Sequence, residues 1–284
     1  MLQGSSETTA TTATQRLEGF VKFPRTPHLI DTGAATDDDE RLDTSQVNFF
    51  LSGGRIPLTS RHFATPGSTP QLKLIIDEKV DGGNLGLRLD PNDGYTIMVQ
   101  NRSHYVNSKS HAQFKPLSGW IWRHGDQLRE ILAGRSVDGD EVANQGILFG
   151  EWMVAKHSVK YTALPDVFLA FDFYDQQTGR FISRSRLRKL LDGSDIKTVH
   201  EIDAGKELNR TEPAAQLTEA DLLKLIQVNS EFSPEQRREG IVLRLDSDEW
   251  LEHRAKIVRN DFIAGNQHWG KQPLELNTIL NNTA

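Results

Sequence analysis

Cysteine is missing from the 284-residue sequence, which excludes disulfide bonds, thiolate-bound zinc and a cysteine nucleophile. No apolar stretch approaches the ~20 residues that a membrane-spanning helix needs, and the amino terminus lacks the apolar core of a secretory signal. An excess of basic residues is missing too, because 33 Lys and Arg face 39 Asp and Glu, for a net charge of −6. Bulk charge therefore does not attract nucleic acid, although a local basic groove could still do so. These absences predict a soluble, intracellular protein.

Polar segments divide the chain. Residues 1–16 are rich in Ser and Thr and have few apolar side chains, so burial cannot offset the entropy of ordering them and we predict a disordered tail. We predict a single domain over residues 17–284, because this length lies within the range of one large domain. Within it, residues 29–41 and 52–70 are predicted surface loops. The four consecutive acids that begin at Asp37 are interpreted as solvated rather than as a metal site.

The rest of the sequence mixes strand and helix patterns. Apolar runs and alternation predict strands at residues 72–77, 85–89, 95–99, 147–153, 167–173, 241–245 and 255–258. Caps and periodicity predict helices over 120–132, ending before Gly134, and from the starts at Thr218 and Ser233-Pro234. Strands and helices do not alternate as βαβ units, so the sequence predicts an α+β fold with largely antiparallel sheets.

The first candidate for chemistry is a lysine directly after an apolar strand. It lies in the sequence Glu78-Lys79-Val80-Asp81-Gly82. A lysine at a strand end that faces a pocket can lose solvation and act as a nitrogen nucleophile. The short pattern is weak evidence by itself, because such a lysine is usually a solvated surface residue and Asp81 could simply cap the turn at Gly82.

Further short motifs accompany this lysine in a fixed order. They are Phe23-Pro24-Arg25-Thr26-Pro27-His28-Leu29 before it, and after it Asn84, Gln100-Asn101-Arg102, Phe149-Gly150-Glu151-Trp152, Phe168-Leu169-Ala170-Phe171-Asp172, Glu239-Gly240-Ile241-Val242 and Arg254-Ala255-Lys256-Ile257-Val258. With these motifs the chain resembles the covalent nucleotidyltransferase superfamily of ATP-dependent ligases and RNA capping enzymes, and within it the ATP-dependent RNA ligases. The resemblance covers residues 20–264 and implies the nucleotidyltransferase (ligase adenylation domain) fold. We expect no separate OB or C-terminal domain.

The resemblance implies that Lys79 attacks the α-phosphate of ATP, expels pyrophosphate and becomes lysyl-AMP. It also implies that Lys256, with Arg254, neutralises the charge that develops on this phosphate. An attacking amine must be neutral, so we expect neighbouring cations and a divalent metal to lower the pKa of Lys79. The predicted catalytic residues are Lys79, Lys256 and Asp81. The carboxylates expected to hold hydrated Mg²⁺ or Mn²⁺ are Asp81, Glu151 and Glu239.

The resemblance also implies contacts to the nucleotide. Phe171 is expected to stack on adenine, with Phe168 or Phe173 in its place if the strand register differs. Arg102 is suited to a phosphate of the nucleotide or of the RNA 5′ end. The expected nucleotide-binding residues are Glu78, Asn84, Arg102, Glu151, Phe171, Glu239 and Arg254.

Several of these residues also have structural interpretations. Phe171 could belong only to the core, and Glu239 could simply end a helix. Arg254 and Lys256 share one face of a strand by period two, as they would on a surface strand. The sequence around Glu151 indicates a functional role even without the resemblance, because burying a carboxylate inside an apolar strand costs free energy unless the carboxylate is paired.

The expected substrate is RNA with a 5′-phosphate and a 3′-hydroxyl, and an end-healing kinase or phosphatase is a further expected partner. The basic run over residues 180–190 could contact the RNA backbone or form a solvated helix face. One alternative is a ligase acting on DNA or a capping-type guanylyltransferase, which transfer of GTP instead of ATP would reveal. Another is a catalytically idle RNA-binding scaffold with the same fold.

Overall fold

The structure is a computed structural model in which residues 20–55, 72–134, 146–210, 217–262 and 273–280 are described. The predicted tail and most of the predicted loop at 52–70 lie outside these ranges. Within them, no helix is long and apolar enough to cross a membrane.

The described ranges contain twelve strands and five α-helices. The strands, β1 to β12, are Lys73–Lys79, Gly83–Leu89, Ile97–Gln100, Tyr105–Val106, Gly146–Trp152, Phe168–Asp175, Arg180–Phe181, Lys197–Thr198, Asn229–Ser230, Ser233–Arg237, Gly240–Asp246 and Leu251–Val258. The helices, α1 to α5, are Thr44–Leu51, Leu117–Leu132, Arg184–Leu191, Ala204–Glu207 and Glu219–Leu225.

Two sheets carry the fold. The smaller sheet has the order β1-β11-β12, and the larger sheet runs β4-β3-β2-β5-β6-β7, with β8 paired in parallel to β6. The other pairings within these sheets are antiparallel. The predicted α+β fold with largely antiparallel sheets is therefore confirmed.

Each sheet is packed against its own helices. α2 and α3 bury Leu128 and Leu187 in the core of the larger sheet. α1 and α5 bury Phe50 and Leu222 in the core of the smaller sheet. Burying a side chain of this kind stabilises the fold by about 1.5–3 kcal/mol, so the apolar positions fix where each strand can lie.

The strand register gathers polar side chains at one place. β1 pairs with β11 so that Lys79 lies opposite Gly240. β2 pairs with β5 so that Asn84 lies opposite Glu151. The predicted motifs, which are far apart in sequence, therefore meet where the two sheets approach each other.

Local sequence signals explain several element ends. Gly134 follows α2 with a φ of +82°, a conformation that glycine adopts without strain. Thr218 and Asp221 form a reciprocal capping box at the start of α5. Gly94, with a φ of +62°, turns the chain between β2 and β3, as the hairpin pattern predicts.

One predicted helix is wrong. The segment that begins Ser233-Pro234 forms β10 instead. Ser233 does not cap a helix, because its hydroxyl donates to the carbonyl of Lys160 at 2.7 Å. A proline is tolerated in an edge strand as well as in a first helical turn, so the sequence signal was ambiguous.

The basic run at 180–190 is largely neutralised by acidic residues of the same chain. Arg184 is buried against Asp77, and the side chains of Arg180 and Arg186 stack on Trp250. The further ion pairs of this run are Arg180 with Glu252, Arg186 with Glu249 and Arg188 with Glu201. The run therefore offers much less free charge to RNA phosphates than its sequence indicates.

Candidate active site

A cavity of about 580 Å³ lies between the two sheets. Strands from both sheets line it, and so do residues 23–39, which we call the amino-terminal wall. Nine of the ten residues predicted from the sequence line this cavity, namely Glu78, Lys79, Asn84, Arg102, Glu151, Phe171, Glu239, Arg254 and Lys256. The tenth, Asp81, faces a neighbouring loop.

Lys79 ends β1, and a carboxylate holds its ammonium group. Its Nζ lies 2.6 Å from the carboxylate of Glu239, which directly precedes β11. Burial alone would lower the pKa of Lys79, but the carboxylates of Glu239, Glu151 and Asp81 outweigh burial and raise it. The expectation that neighbouring cations lower this pKa is therefore wrong for the arrangement seen here. Lys79 is therefore protonated, and its contact with Glu239 is an ion pair when that carboxyl is ionised.

Two glutamates, the partly buried Glu151 and the buried Glu239, share the site with this lysine. Burial raises the pKa of Glu151 to about 7, and Lys79 opposes that shift only in part. The Oε1 atom of Glu151 also accepts a hydrogen bond from the N–H of Gly82 at 3.1 Å. Burial raises the pKa of Glu239 to about 8 despite its ion pair. Near neutral pH this group can therefore take up or release a proton.

Asp81 fastens two loops together. Its Oδ2 accepts hydrogen bonds from the N–H groups of Ser158 at 2.6 Å and Val159 at 2.9 Å. Its own N–H donates to the hydroxyl of Tyr161 at 2.8 Å. The carboxylate therefore connects the chain after β1 to the loop after β5. This is a structural role, close to the alternative that Asp81 simply caps the turn at Gly82.

The carboxylates suit a hydrated cation. Among the described residues, no group of three or more His, Asp and Glu side chains is placed to hold a metal ion directly. Asp81 nevertheless raises the pKa of both Glu151 and Glu239, and Glu151 raises that of Glu239 further. Mg²⁺ usually keeps several waters while binding one or two carboxylates. A hydrated divalent cation bound by Glu151 and Glu239 would relieve this repulsion. These two residues therefore fit such a cation.

Phe171 faces the cavity because β6 bulges at this residue. Phe149 pairs with Asp172 and Gly150 pairs with Ala170, which leaves Phe171 without a partner in β5. A bulge of this kind redirects a side chain beside a site. The two fallback aromatics behave differently, since Phe168 and Phe173 are buried in the core of the larger sheet.

Arg254 lies at the cavity wall in an ion pair. Its guanidinium contacts the carboxylate of Asp172, which also pairs with the buried Arg244. The same guanidinium lies over the rings of Phe23 at 4.4 Å and Phe181 at 5.0 Å. Asp172 and two aromatic rings thus hold the guanidinium of Arg254, which the resemblance implies should neutralise charge on the α-phosphate.

Lys256 contacts Asp39, one of the four consecutive acids that the sequence predicts to be solvated. Its Nζ donates to Oδ1 of Asp39 at 3.1 Å. Burial lowers the pKa of Lys256, although Asp39 opposes the shift. His28 lies beside this pair, opposite Lys256 in an isolated parallel bridge whose hydrogen bonds are made by Pro27 and Leu29. No local pattern reveals these contacts, because the partners are 217 positions apart.

Three other predicted residues line the cavity and differ in burial and hydrogen bonding. Glu78 is buried and accepts hydrogen bonds from the hydroxyl of Ser230 and from the N–H of Glu231 at 3.0 Å. Asn84 has a buried Oδ1 that lacks a hydrogen-bond partner among the described residues, as a ligand-contacting oxygen does before its ligand arrives. Arg102 is exposed at the cavity edge.

Comparison with known proteins identifies a family and a fold. A family model described as RNA ligase matches residues 72–258, whereas no curated protein gives a significant match. The structure of Naegleria gruberi RNA ligase with PPi matches at a TM-score of 0.50 and 17% identity, over 85% of this chain and 59% of that chain. A variant of the same ligase with ATP and Mn matches at 0.49 and 15%, over 85% and 61%.

These structural matches concern part of a longer protein. The aligned region is 50% to 62% of the length of the Naegleria gruberi chains. At this low identity the likeness establishes the fold, and the chemistry has to be argued from the residues of this chain.

Proposed function

Because this chain belongs to the RNA ligase family, we propose that it joins RNA ends in an ATP-dependent reaction that passes through AMP bound covalently to Lys79. A 5′-phosphate and a 3′-hydroxyl are the ends that it seals. The observation that carries this proposal is the ion pair of Lys79 and Glu239 at 2.6 Å inside a cavity that Lys256 also lines.

The first step requires Lys79 to lose a proton. Glu239 is the acceptor, because its oxygen already contacts Nζ and burial raises its pKa to about 8. A base whose pKa lies near the working pH is effective in such a transfer. The neutral amine then attacks the α-phosphorus of ATP, a P–N bond forms, and the bond to the pyrophosphate oxygen breaks.

Cationic groups stabilise the charge that this attack creates. Lys256 is the main candidate, since its Nζ is partly buried at the cavity wall and its pKa is lowered by burial. Arg254 is held against Asp172, so it contributes less free charge than a lysine there would. Mg²⁺ or Mn²⁺, held through water by Glu151 and Glu239, supplies further charge neutralisation on the phosphates when bound.

The nucleotide base stacks, in this proposal, on Phe171 in the wall of the cavity. Phe171 offers an aromatic face there, and stacking on such a face favours any purine. Asn84 and Glu78 supply polar atoms near the strand that carries Lys79. These residues hold the nucleotide while the amine approaches in line with the leaving group.

Two further transfers complete the reaction. AMP passes from Lys79 to the 5′-phosphate of RNA, and the 3′-hydroxyl of a second RNA end then displaces AMP to form the phosphodiester. Arg102, at the cavity edge, is suited to bind the incoming 5′-phosphate through paired N–H donors.

Sealing of synthetic RNA ends tests this function. The protein, ATP and Mg²⁺ should convert 5′-phosphorylated RNA and a 3′-hydroxyl acceptor into a longer product. The same strand with a 5′-hydroxyl is the control and should stay unjoined. Joining of DNA ends only, or label transfer from GTP but not from ATP, would contradict the proposal.

A further inference from the structure

The amino-terminal wall lies outside the matched family region, which begins at residue 72, yet it forms one side of the cavity. Its chain runs beside β12, where the N–H of Lys256 donates to the carbonyl of Pro27 at 2.9 Å and the N–H of Leu29 donates to the carbonyl of Lys256 at 2.8 Å. Nearer the Phe171 end, the Phe23 ring lies 5.3 Å from the Phe171 ring. The amino-terminal wall therefore contacts both Phe171 and Lys256.

One carboxylate on this wall occupies a cluster of hydrogen-bond donors and cationic groups. Oδ1 of Asp39 accepts from Lys256 at 3.1 Å. Oδ2 accepts from the N–H and the hydroxyl of Thr36 at 3.1 and 3.0 Å, and Nε2 of His28 lies 3.8 Å from it. An anion is therefore what this cluster already holds.

Two observations indicate that an external anion also belongs there. His28 is only 2% exposed and lines the cavity, and its Nδ1 has no hydrogen-bond partner among the described residues. Arg25 lines the cavity and donates to the carbonyl of Asp38, but among the described residues it pairs with no acid. A buried polar atom without a partner and an unpaired guanidinium at one cavity wall are suited to a ligand with several acceptor oxygens.

We propose that Arg25, His28 and Lys256 form a phosphate-binding subsite in which Asp39 stands in for the phosphate. A phosphoryl group entering the cavity displaces the Asp39 carboxylate from Lys256 and takes a hydrogen bond from Arg25. The phosphate belongs either to the tail of ATP or to the 5′ end of RNA. These two sources rest on the proposed function, whereas the binding of a phosphate at the subsite does not.

Binding of inorganic pyrophosphate tests the subsite without any reaction. Calorimetry on AMP-free protein in metal-free buffer compares the wild type with R25A, D39N and K22A. Lys22 is the matched control, because it is a cation exposed on the same segment but does not line the cavity among the described residues. R25A should bind pyrophosphate about tenfold more weakly, as the loss of a charge-assisted hydrogen bond predicts, while K22A should match the wild type.

The Asp39 variant separates a stand-in from a structural contact. D39N should bind pyrophosphate more tightly than the wild type, because it removes the competing charge. Weaker binding by D39N would overturn the proposal, since Asp39 would then serve to hold Lys256 in place. Equal binding by R25A and K22A, or no binding by the wild type, would also overturn it.

Kinetics on the same variants identify which phosphate is bound. If the subsite holds the tail of ATP, R25A raises the KM for ATP in adduct formation and leaves AMP transfer to 5′-phosphorylated RNA unchanged. If it holds the RNA end, the reverse pattern appears. A wild type that forms no adduct would refute the proposed function, while the pyrophosphate measurement would still decide the subsite.

Discussion

At the scale of single residues, the pair of Lys79 and Glu239 determines how the site works. The sequence predicts a lysine nucleophile helped by nearby cations, but three carboxylates raise its pKa instead. The lysine was recognisable because it follows an apolar strand and belongs to an ordered set of motifs. Its protonation state was not, because it depends on Glu239, a partner 160 positions away.

Replacing Glu239 by glutamine should stop the first step. The amide cannot accept the lysine proton, so the rate of lysyl-AMP formation should fall by about 10²–10⁴-fold, while circular dichroism shows the fold intact. The matched control is Glu235→Gln, at an exposed glutamate on β10. An adduct rate for Glu239→Gln equal to that of this control would contradict the assignment of Glu239 as the proton acceptor.

Metal binding should depend on pH through Glu151. Burial raises the pKa of this carboxyl to about 7, so at lower pH it is protonated and a cation must displace a proton to bind. Titration with Mn²⁺ should show the affinity rising from pH 6 to pH 8 as Glu151 ionises, and rising further above pH 8 as Glu239 does. In Glu151→Gln the rise should be smaller. A wild-type affinity that is flat over this range would show that Glu151 does not take part.

At the scale of elements, β6 shows what patterns predict and what they miss. The apolar run predicts a strand over 167–173, and the structure has β6 over Phe168–Asp175. Alternation alone cannot say which of three phenylalanines leaves the core, because the bulge at Phe171 interrupts the period of two. Motif order singled out the right one for the cavity, where local pattern alone favoured a core position.

A pair of variants separates the cavity aromatic from a core aromatic. Phe171→Leu should raise the KM for ATP in adduct formation by about tenfold, because stacking of a base on an aromatic ring contributes about 1–3 kcal/mol. Phe173→Leu should instead lower the free energy of unfolding by about 0.5–3 kcal/mol and leave that KM unchanged. Equal KM values in the two variants would contradict a stacking role for Phe171.

At the scale of the whole molecule, a buried ion network joins the two sheets. Asp172 on β6 of the larger sheet pairs with Arg244 on β11 and Arg254 on β12 of the smaller sheet. Burial alone would raise the pKa of Asp172, but these two arginines outweigh it and lower the pKa. The contribution of this carboxylate to stability is therefore present at neutral pH and is lost as the pH falls through its lowered folded-state pKa.

The variant Asp172→Asn should weaken the contact between the sheets. It leaves the partly buried guanidinium of Arg254 without its acid and leaves the buried Arg244 with Asp246 alone. The free energy of unfolding at pH 7 should therefore fall by about 3–5 kcal/mol. Urea unfolding measures this, with Asp248→Asn as control, because Asp248 pairs with Lys73 on the surface. The difference from wild type should shrink in acid. An Asp172 variant as stable as the control would show that the network does not hold the sheets together.

The sequence predicted most strands, and nine of its ten candidate site residues line the cavity, because apolar runs and motif order can be read directly from the chain. It named a motif at residues 23–29 but missed the contact of Asp39, an acid interpreted as solvated, with Lys256. Contacts of this kind depend on how distant segments pack, which composition and periodicity do not encode.

The central claim is that Lys79 carries AMP, and one measurement tests it most directly. The protein, first treated with pyrophosphate to remove any bound AMP, is incubated with ATP and Mg²⁺, and its intact mass and peptides are measured. The account predicts the gain of one AMP, located on Lys79 and missing in Lys79→Ala. An adduct on another residue, or no adduct in a folded wild-type protein, would contradict it.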